Sequence, residues 1–391
     1  VETANGEITF EGTVNGNQDL TVTAGNSSIN FNSSIGAVTP LNHITLTADD
    51  INFGGTIRGE GNLVIQPFTP SLDIKLGGIN PGNNAALTLR ATELDLLQTG
   101  FNSITIGRID GTGTTTLEAG RAGVEFKDSL ILRGHTVELS GGIRSTNDSS
   151  ITFEGSSIIL EDNTAVETPQ GDITFAGTVN GDRALTLNAE NGTIRLETAN
   201  LGELNATAIE TILDGDIVTT QSNGITIQSD NIQLNRNLTL DTSAANGPII
   251  LGGTVNGSQE LTLNSRTGNL QIVNAIGNSI PLVGLKIQAG DVTVDAPIAV
   301  ELGGITIDAT GTVDLNRPIA TEGNTQVTAV GNITTTDLTA SAITLDSTSG
   351  SVAITGPLTT QGDNGGAIAL SAYTGITGGN INSSATLGTG G

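Results

Sequence analysis

Isoleucine, leucine and valine recur at every second position in segments of three to five residues along most of the chain. Ile8 and Phe10 flank Thr9, Leu20 and Val22 flank Thr21, and Ile44 and Leu46 flank Thr45. The same alternation returns at Ile225 and Ile227 around Thr226, and at Ile305 and Ile307 around Thr306. Side chains at i and i+2 leave the same face of a strand, so the aliphatic set is expected inside and the threonines outside. Each segment is cut short by Gly, Asn or Pro, the residues of tight turns. No stretch sustains a 3.6-residue period. Residues 91–100 and 201–215 carry fragments of one, and both read as strand-and-turn continuations.

These short strands sit inside a longer repeat. "VETANGEITFEGTVNG" (residues 1–16) aligns without gaps to "VETPQGDITFAGTVNG" (166–181), with 12 of 16 positions identical, and a third copy, "TSAANGPIILGGTVNG", starts at Thr242. Leu20, Leu185 and Leu261 each follow the first Gly of GTVNG at one fixed offset, opening LTVTA, LTLNA and LTLNS. "IGAVTPL" (35–41) matches "IGNSIPL" (276–282) at the same offset, and "GGTIRGEGNLVI" (54–65) is a more distant copy. The interval from Gly12 to Gly55 divides into two turns of about 21 or 22 residues each. Near the C-terminus Gly-Gly pairs start at Gly365 and Gly390, one slightly longer turn apart. The motif's first glycines, Gly12, Gly55, Gly177 and Gly253, are unevenly spaced, which shows repetition at two levels, coil and multi-coil module.

A unit of roughly 20–25 residues is too short for a globular domain and suits one coil of a β-solenoid. Asn-Gly between short strands also signals hairpins, and hence a string of antiparallel sandwiches. Sandwich repeats run nearer to about 100 residues and carry bulky aromatic cores, whereas this chain has one Tyr and eight Phe. The expected fold is all-β, a parallel β-helix of roughly 16–19 coils. At about 4.8 Å per coil that is a rod roughly 75–90 Å long. It is read as a single continuous solenoid over residues 1–391, with modules opening near 1, 166 and 242 and Gly-rich coils over 323–391. The repeat positions Gly12, Val14, Asn15 and Gly16, Gly177, Val179, Asn180 and Gly181, and Gly253, Val255, Asn256 and Gly257 are read as corners. The Val points inward, Asn-Gly turns the chain with φ > 0, and the first Gly permits a bulge or a close approach between coils.

"GDITFAGTVNGDRALTLNAENGTI" and "GGAIALSAYTGITGGNINSSATLGTGG" resemble the passenger repeats of filamentous haemagglutinin-type exoproteins of the two-partner-secretion family, the second being especially similar to cyanobacterial forms. The resemblance covers most of the chain. It implies a right-handed parallel β-helix on a long secreted or cell-surface bacterial protein, exported through an outer-membrane β-barrel transporter and active in adhesion, aggregation or biofilm formation. The family's Asn-Pro-Asn-Gly secretion signature is missing; Asn80-Pro81-Gly82 comes nearest. The chain begins with Val, shows no signal peptide, and has no polar cap at either end. It is therefore expected to be a mature product or an internal section of a longer passenger, continuing into further coils or stacking end to end.

Composition narrows the function classes. The formal net charge is −26, with 14 Lys plus Arg against 40 Asp plus Glu. Such a surface repels nucleic acid and anionic lipid. No apolar run approaches about 18 residues, so membrane insertion by a helix is not expected. Without cysteine there is neither disulfide nor thiol chemistry. The carboxylate pairs Asp49/Asp50, Asp214/Asp216 and Glu161/Asp162 are candidates for glycosidic chemistry, and are read first as solvated turn residues. His43 and His135, the only histidines, are read as turn residues, too few for a zinc site. Oxygen ligands suit Ca²⁺, but no binding nonapeptide or EF-hand ladder is present, so calcium binding is expected to be adventitious and no cofactor is expected. Arg236 in LNRNL and Arg317 in LNRPI occupy equivalent-looking turns. They are read as surface positions or as partners of carboxylates on neighbouring coils. The sequence thus points to a non-enzymatic structural and adhesive solenoid, with itself end to end, a surface glycan or a cell-surface receptor as partner. A β-helix polysaccharide lyase or hydrolase is the alternative.

Overall fold

The computed structural model describes residues 1–78, 86–120, 123–146, 148–362 and 366–385. Asn80-Pro81-Gly82, Gly365 and the Gly390 pair lie outside them. The protein is an all-β parallel solenoid of about 17 turns, 57% strand and 1% helix. Two compact units divide the chain, Val1–Glu197 and Thr198–Gly391. Among the described residues no helix is long and apolar enough to cross a membrane.

In the first unit each coil has three sides, and the inward residue of each side stacks on its counterpart one coil on. One column runs Leu20, Ile44, Leu63, Ile104, Leu130, Ile151, Ile173 and Ile194. A second starts Ile8, Ile29, Ile51, and a third Val14, Ile35, Ile57, Leu97. Apart from Val14 and Leu20 in the first coil, these side chains are buried. Aromatic residues stack in the same manner. The rings of Phe10 and Phe31 lie 4.7 Å apart, those of Phe31 and Phe53 6.0 Å, and those of Phe153 and Phe175 4.8 Å.

Strict stacking breaks between Leu63 and Ile104, which are neighbours in the column although nearly two coils' length of chain lies between them. The intervening chain forms strands Asp73–Gly77 and Ala86–Leu89, paired in parallel. The earlier of the two is the one that goes on to pair with Thr114–Glu118, so order in the stack departs from order in sequence. Residues 91–94, expected as strand and turn, form a single helical turn, Ala91–Leu94. The Glu93 carboxylate, 7% exposed, accepts the backbone N–H of Arg90 at 3.0 Å and of Phe53 at 3.3 Å. Those anchors, with helix-favouring Ala and Leu, win over the local alternation. Residues 201–215 are strand and turn as expected, within Ala199–Leu201 and Glu203–Leu213.

The second unit repeats more strictly. Leu285 pairs with Ile305, Ile305 with Thr325, and Thr325 with Ile343, each step being close to the length of one short coil. Parallel columns run Val292, Val313, Ile333, Val352 and Ile298, Ile319, Leu338, Leu358. One inner corner is built from small residues, Ala289, Ala309, Ala329 and Ser347. Elsewhere a hydroxyl at a corner donates to the carbonyl of the following turn. Thr3 reaches Gly6, Thr168 reaches Gly171, Thr242 reaches Gly247 and Ser265 reaches Gly268. A buried turn carbonyl needs a donor, and a Ser or Thr at the corner supplies it.

Candidate functional site

The three GTVNG copies end strands or bridges. Val179 and Val255 are fully buried, and Val14, in the first coil, is half-buried. The final glycines share one conformation, φ +147 at Gly16, +138 at Gly181 and +139 at Gly257. The Asn does not adopt φ > 0 as expected. Among the described residues the non-glycine positive φ values belong to Glu190, Asn246 and Arg266, so glycine alone carries the reversal. A Cβ on Gly177 would strike the carbonyl of Gly155, and one on Gly253 the carbonyl of Ser229; Gly12 meets nothing. The freed Asn side chains clamp the next coil. Asn15 Oδ1 accepts the N–H of Val38 at 2.9 Å and of Thr39 at 3.4 Å, and Asn256 Oδ1 accepts those of Ser279 and Ile280 at 3.0 and 3.2 Å. Asn180 is bonded elsewhere, to Ser157 and Thr178.

Copies one and two do not lie on the same side of their unit. Ile8 and Ile173 are equivalent in sequence, yet Ile173 stacks in the column that begins at Leu20. The second copy enters the stack one side earlier, so GTVNG is a local corner device rather than an edge of the solenoid.

Of the candidate catalytic carboxylates, those other than Glu161 accept hydrogen bonds from the scaffold. Asp49 accepts the N–H and hydroxyl of Thr69, and Asp50 the amide of Asn52. Asp214 accepts Asn235, Asp216 the N–H of Thr239, and Asp162 the N–H of Asn163. His43 Nδ1 accepts the N–H of Asn62 at 2.9 Å, and His135 is exposed. Arg236 donates to the Asp214 carbonyl, but in both LNR turns it is the Asn that reaches back one coil, Asn235 to Asp214 at 2.8 Å and Asn316 to Asp295 at 3.0 Å. Among the described residues no three His, Asp or Glu come together in a way that could hold a metal. At the surface, Asp19 accepts the N–H of His43 and the amide of Asn42, which holds its carboxyl below the ordinary range.

One concave feature was not expected. Corners at Gly111, Gly134 and Gly155 leave a surface groove of about 300 Å³. Beside it Gly107 sits at φ +109, and a Cβ there would run into the carbonyl of Arg133. Arg108 braces one wall, gripping Asp110 at 2.8 and 2.9 Å and donating to the carbonyls of Pro67 and Phe68 at 3.2 and 2.7 Å. The guanidinium holds the Asp110 carboxyl low, and the carboxylate raises Arg108 in return. At the floor Arg133 Nε donates to Glu154. Ile109 forms a lip that is 88% exposed, and Phe68, on the loop Arg108 holds, is 42% exposed. The sequence signals were the clustering of basic residues between positions 90 and 144 and the recurring corner glycines; neither shows that the corners stack.

No protein-family model, curated protein or solved structure matches the chain.

Proposed function

We propose that the chain is a structural, surface-presenting section of a secreted or cell-surface filamentous exoprotein, and that it is not an enzyme. The observation that carries this reading is the use made of the polar side chains. Asp and Asn at the corners accept backbone N–H groups about one coil away, as in Asp172 with Thr193, Asp216 with Thr239, Asp291 with Thr312 and Asn332 with Ser351. Groups held in that way extend a scaffold and are not free for acid–base work. The resemblance of the repeats to filamentous haemagglutinin-type passengers supports the extracellular setting, with export through an outer-membrane transporter. Partners in that setting are a further copy joined end to end, a surface glycan or a cell-surface receptor.

Immunogold electron microscopy of intact producing cells, using antibody raised against this chain, tests the placement. Label on unpermeabilised cells is expected. Label that appears only after permeabilisation would overturn it. Negative-stain imaging of the purified chain tests the joining of copies, with rods longer than one chain expected.

A further inference from the structure

We infer that the glycine-cornered groove of the first unit binds a neutral sugar residue of a polysaccharide, with the Arg133–Glu154 pair reading a vicinal diol. This rests on the surface-presenting reading above and names a ligand class for it. Two adjacent hydroxyls of a pyranose each donate and accept, so a site for them needs a donor and an acceptor side by side. Arg133 and Glu154 are joined through Nε, at 27% and 37% side-chain exposure. Among the described residues the terminal nitrogens of Arg133 take no other bond, so the fork still offers donors beside a carboxylate that accepts. Ser156 and His135 line the same groove with further polar groups, both exposed. Ile109 stands over it as an apolar surface for the C–H face of a sugar ring.

Arg108 has a different part. Its bonds to Asp110, Pro67 and Phe68 fix the wall that carries Ile109, which makes it a positioning residue. The volume of about 300 Å³ sits at the lower end of the range for small-molecule sites and suits one or two sugar residues. Charge selects between ligands. The two arginines that line the groove are paired, Arg108 with Asp110 behind it and Arg133 with Glu154, while the chain as a whole carries −26. A polyanion would be repelled on approach, and a neutral polysaccharide would not.

The test is calorimetric titration of the intact chain with hexasaccharides of glucose, mannose and galactose, with polygalacturonate as the anionic comparison. Saturable binding of at least one neutral hexasaccharide is expected, changing less than about twofold between 50 and 500 mM salt. Glu154→Gln is expected to weaken it by roughly tenfold or more, the scale of a charge-assisted hydrogen bond. Ile109→Ser lies at a strongly exposed position that the fold does not need, and is expected to weaken binding about threefold to tenfold. Binding of polygalacturonate alone, binding of no neutral sugar, or wild-type affinity in both variants would each overturn the inference. Surface labelling that fails while this titration succeeds would remove the proposed setting and leave the groove's ligand standing.

Discussion

The coils over residues 284–354 and the excursion between Leu63 and Ile104 use the same aliphatic alternation but are held by different means. In the regular coils each backbone group meets its counterpart one turn on, and the side-chain ladder follows suit. Asp291 accepts the N–H of Thr312 at 2.8 Å, and Asn332 accepts that of Ser351 at 2.9 Å. Any Asp or Asn at the corner serves, because the geometry repeats. In the excursion the ladder is interrupted, and individual carboxylates take its place. Asp128, 9% exposed, accepts the N–H of Gly100 and of Phe101 at 3.1 and 2.9 Å. Glu93 does the same for Phe53 and Arg90. Buried backbone donors must be paired somewhere. A repeating fold pairs them generically, and an irregular insertion needs a particular residue for each.

That contrast predicts where the molecule is most sensitive. Asp128→Ala leaves two backbone donors at Gly100 and Phe101 without their acceptor, and is expected to cost about 3–5 kcal/mol. Denaturant titration would measure the loss, and hydrogen exchange would place it at those two amides. Asp128→Asn retains a carbonyl oxygen and should restore most of the protection. If Asp128→Ala unfolds no earlier than the parent, the excursion does not depend on residue-specific anchors. In the regular coils Ile307, fully buried between Ile287 and Val327, is the matching position. Ile307→Ala is expected to cost about 3 kcal/mol through the cavity it leaves. Because each repeat touches only its neighbours, the lost exchange protection should stay within one or two coils.

The regular coils were legible in the sequence for the reason that makes them robust. Alternation names the inward residues and the recurrence of the turn residues names the coil, so Ile305 and Ile307 could be placed inside from the pattern alone. The excursion was not legible. Alternation in DIKLG and ALTL marks two strands but carries no information on which lies nearer Thr114–Glu118. Nor does a repeat in sequence count sides of a coil, so the one-side offset between Ile8 and Ile173 could not be read from a 12-of-16 match. The groove escaped for a related reason: Arg133 and Glu154 lie on successive coils, and only stacking makes them neighbours.

A smaller effect is expected where Asn clamps a turn of the next coil. Asn256→Ala removes the acceptor for Ser279 and Ile280 and should cost about 1–2 kcal/mol. Asn15→Ala removes the acceptor for Val38 and Thr39 in a more exposed setting and should cost less. Thermal denaturation of the two variants would rank them; an equal or reversed order would mean that burial does not set the value of the clamp.

The smallest effect separates two surface carboxylates, Asp19 and Asp110, by the kind of partner each has. Asp19 is held low by neutral donors, first the backbone N–H of His43 and then the Asn42 amide, with the charge of His43 as the least contribution. Asp110, which braces the groove wall, is held low first by its hydrogen bond to the Arg108 guanidinium. In both cases the folded carboxyl ionises at lower pH than it does in the unfolded chain. Each therefore adds stability that is present above the ordinary carboxylate range and is lost as pH falls through the folded value. Salt screens the guanidinium partner more than it weakens a neutral N–H donor. Carboxyl-carbon NMR titrations at about 50 and about 500 mM salt should show Asp110 rising towards the ordinary range while Asp19 holds its position. If the two move together, the partners do not differ in the way the geometry of Arg108 and His43 requires.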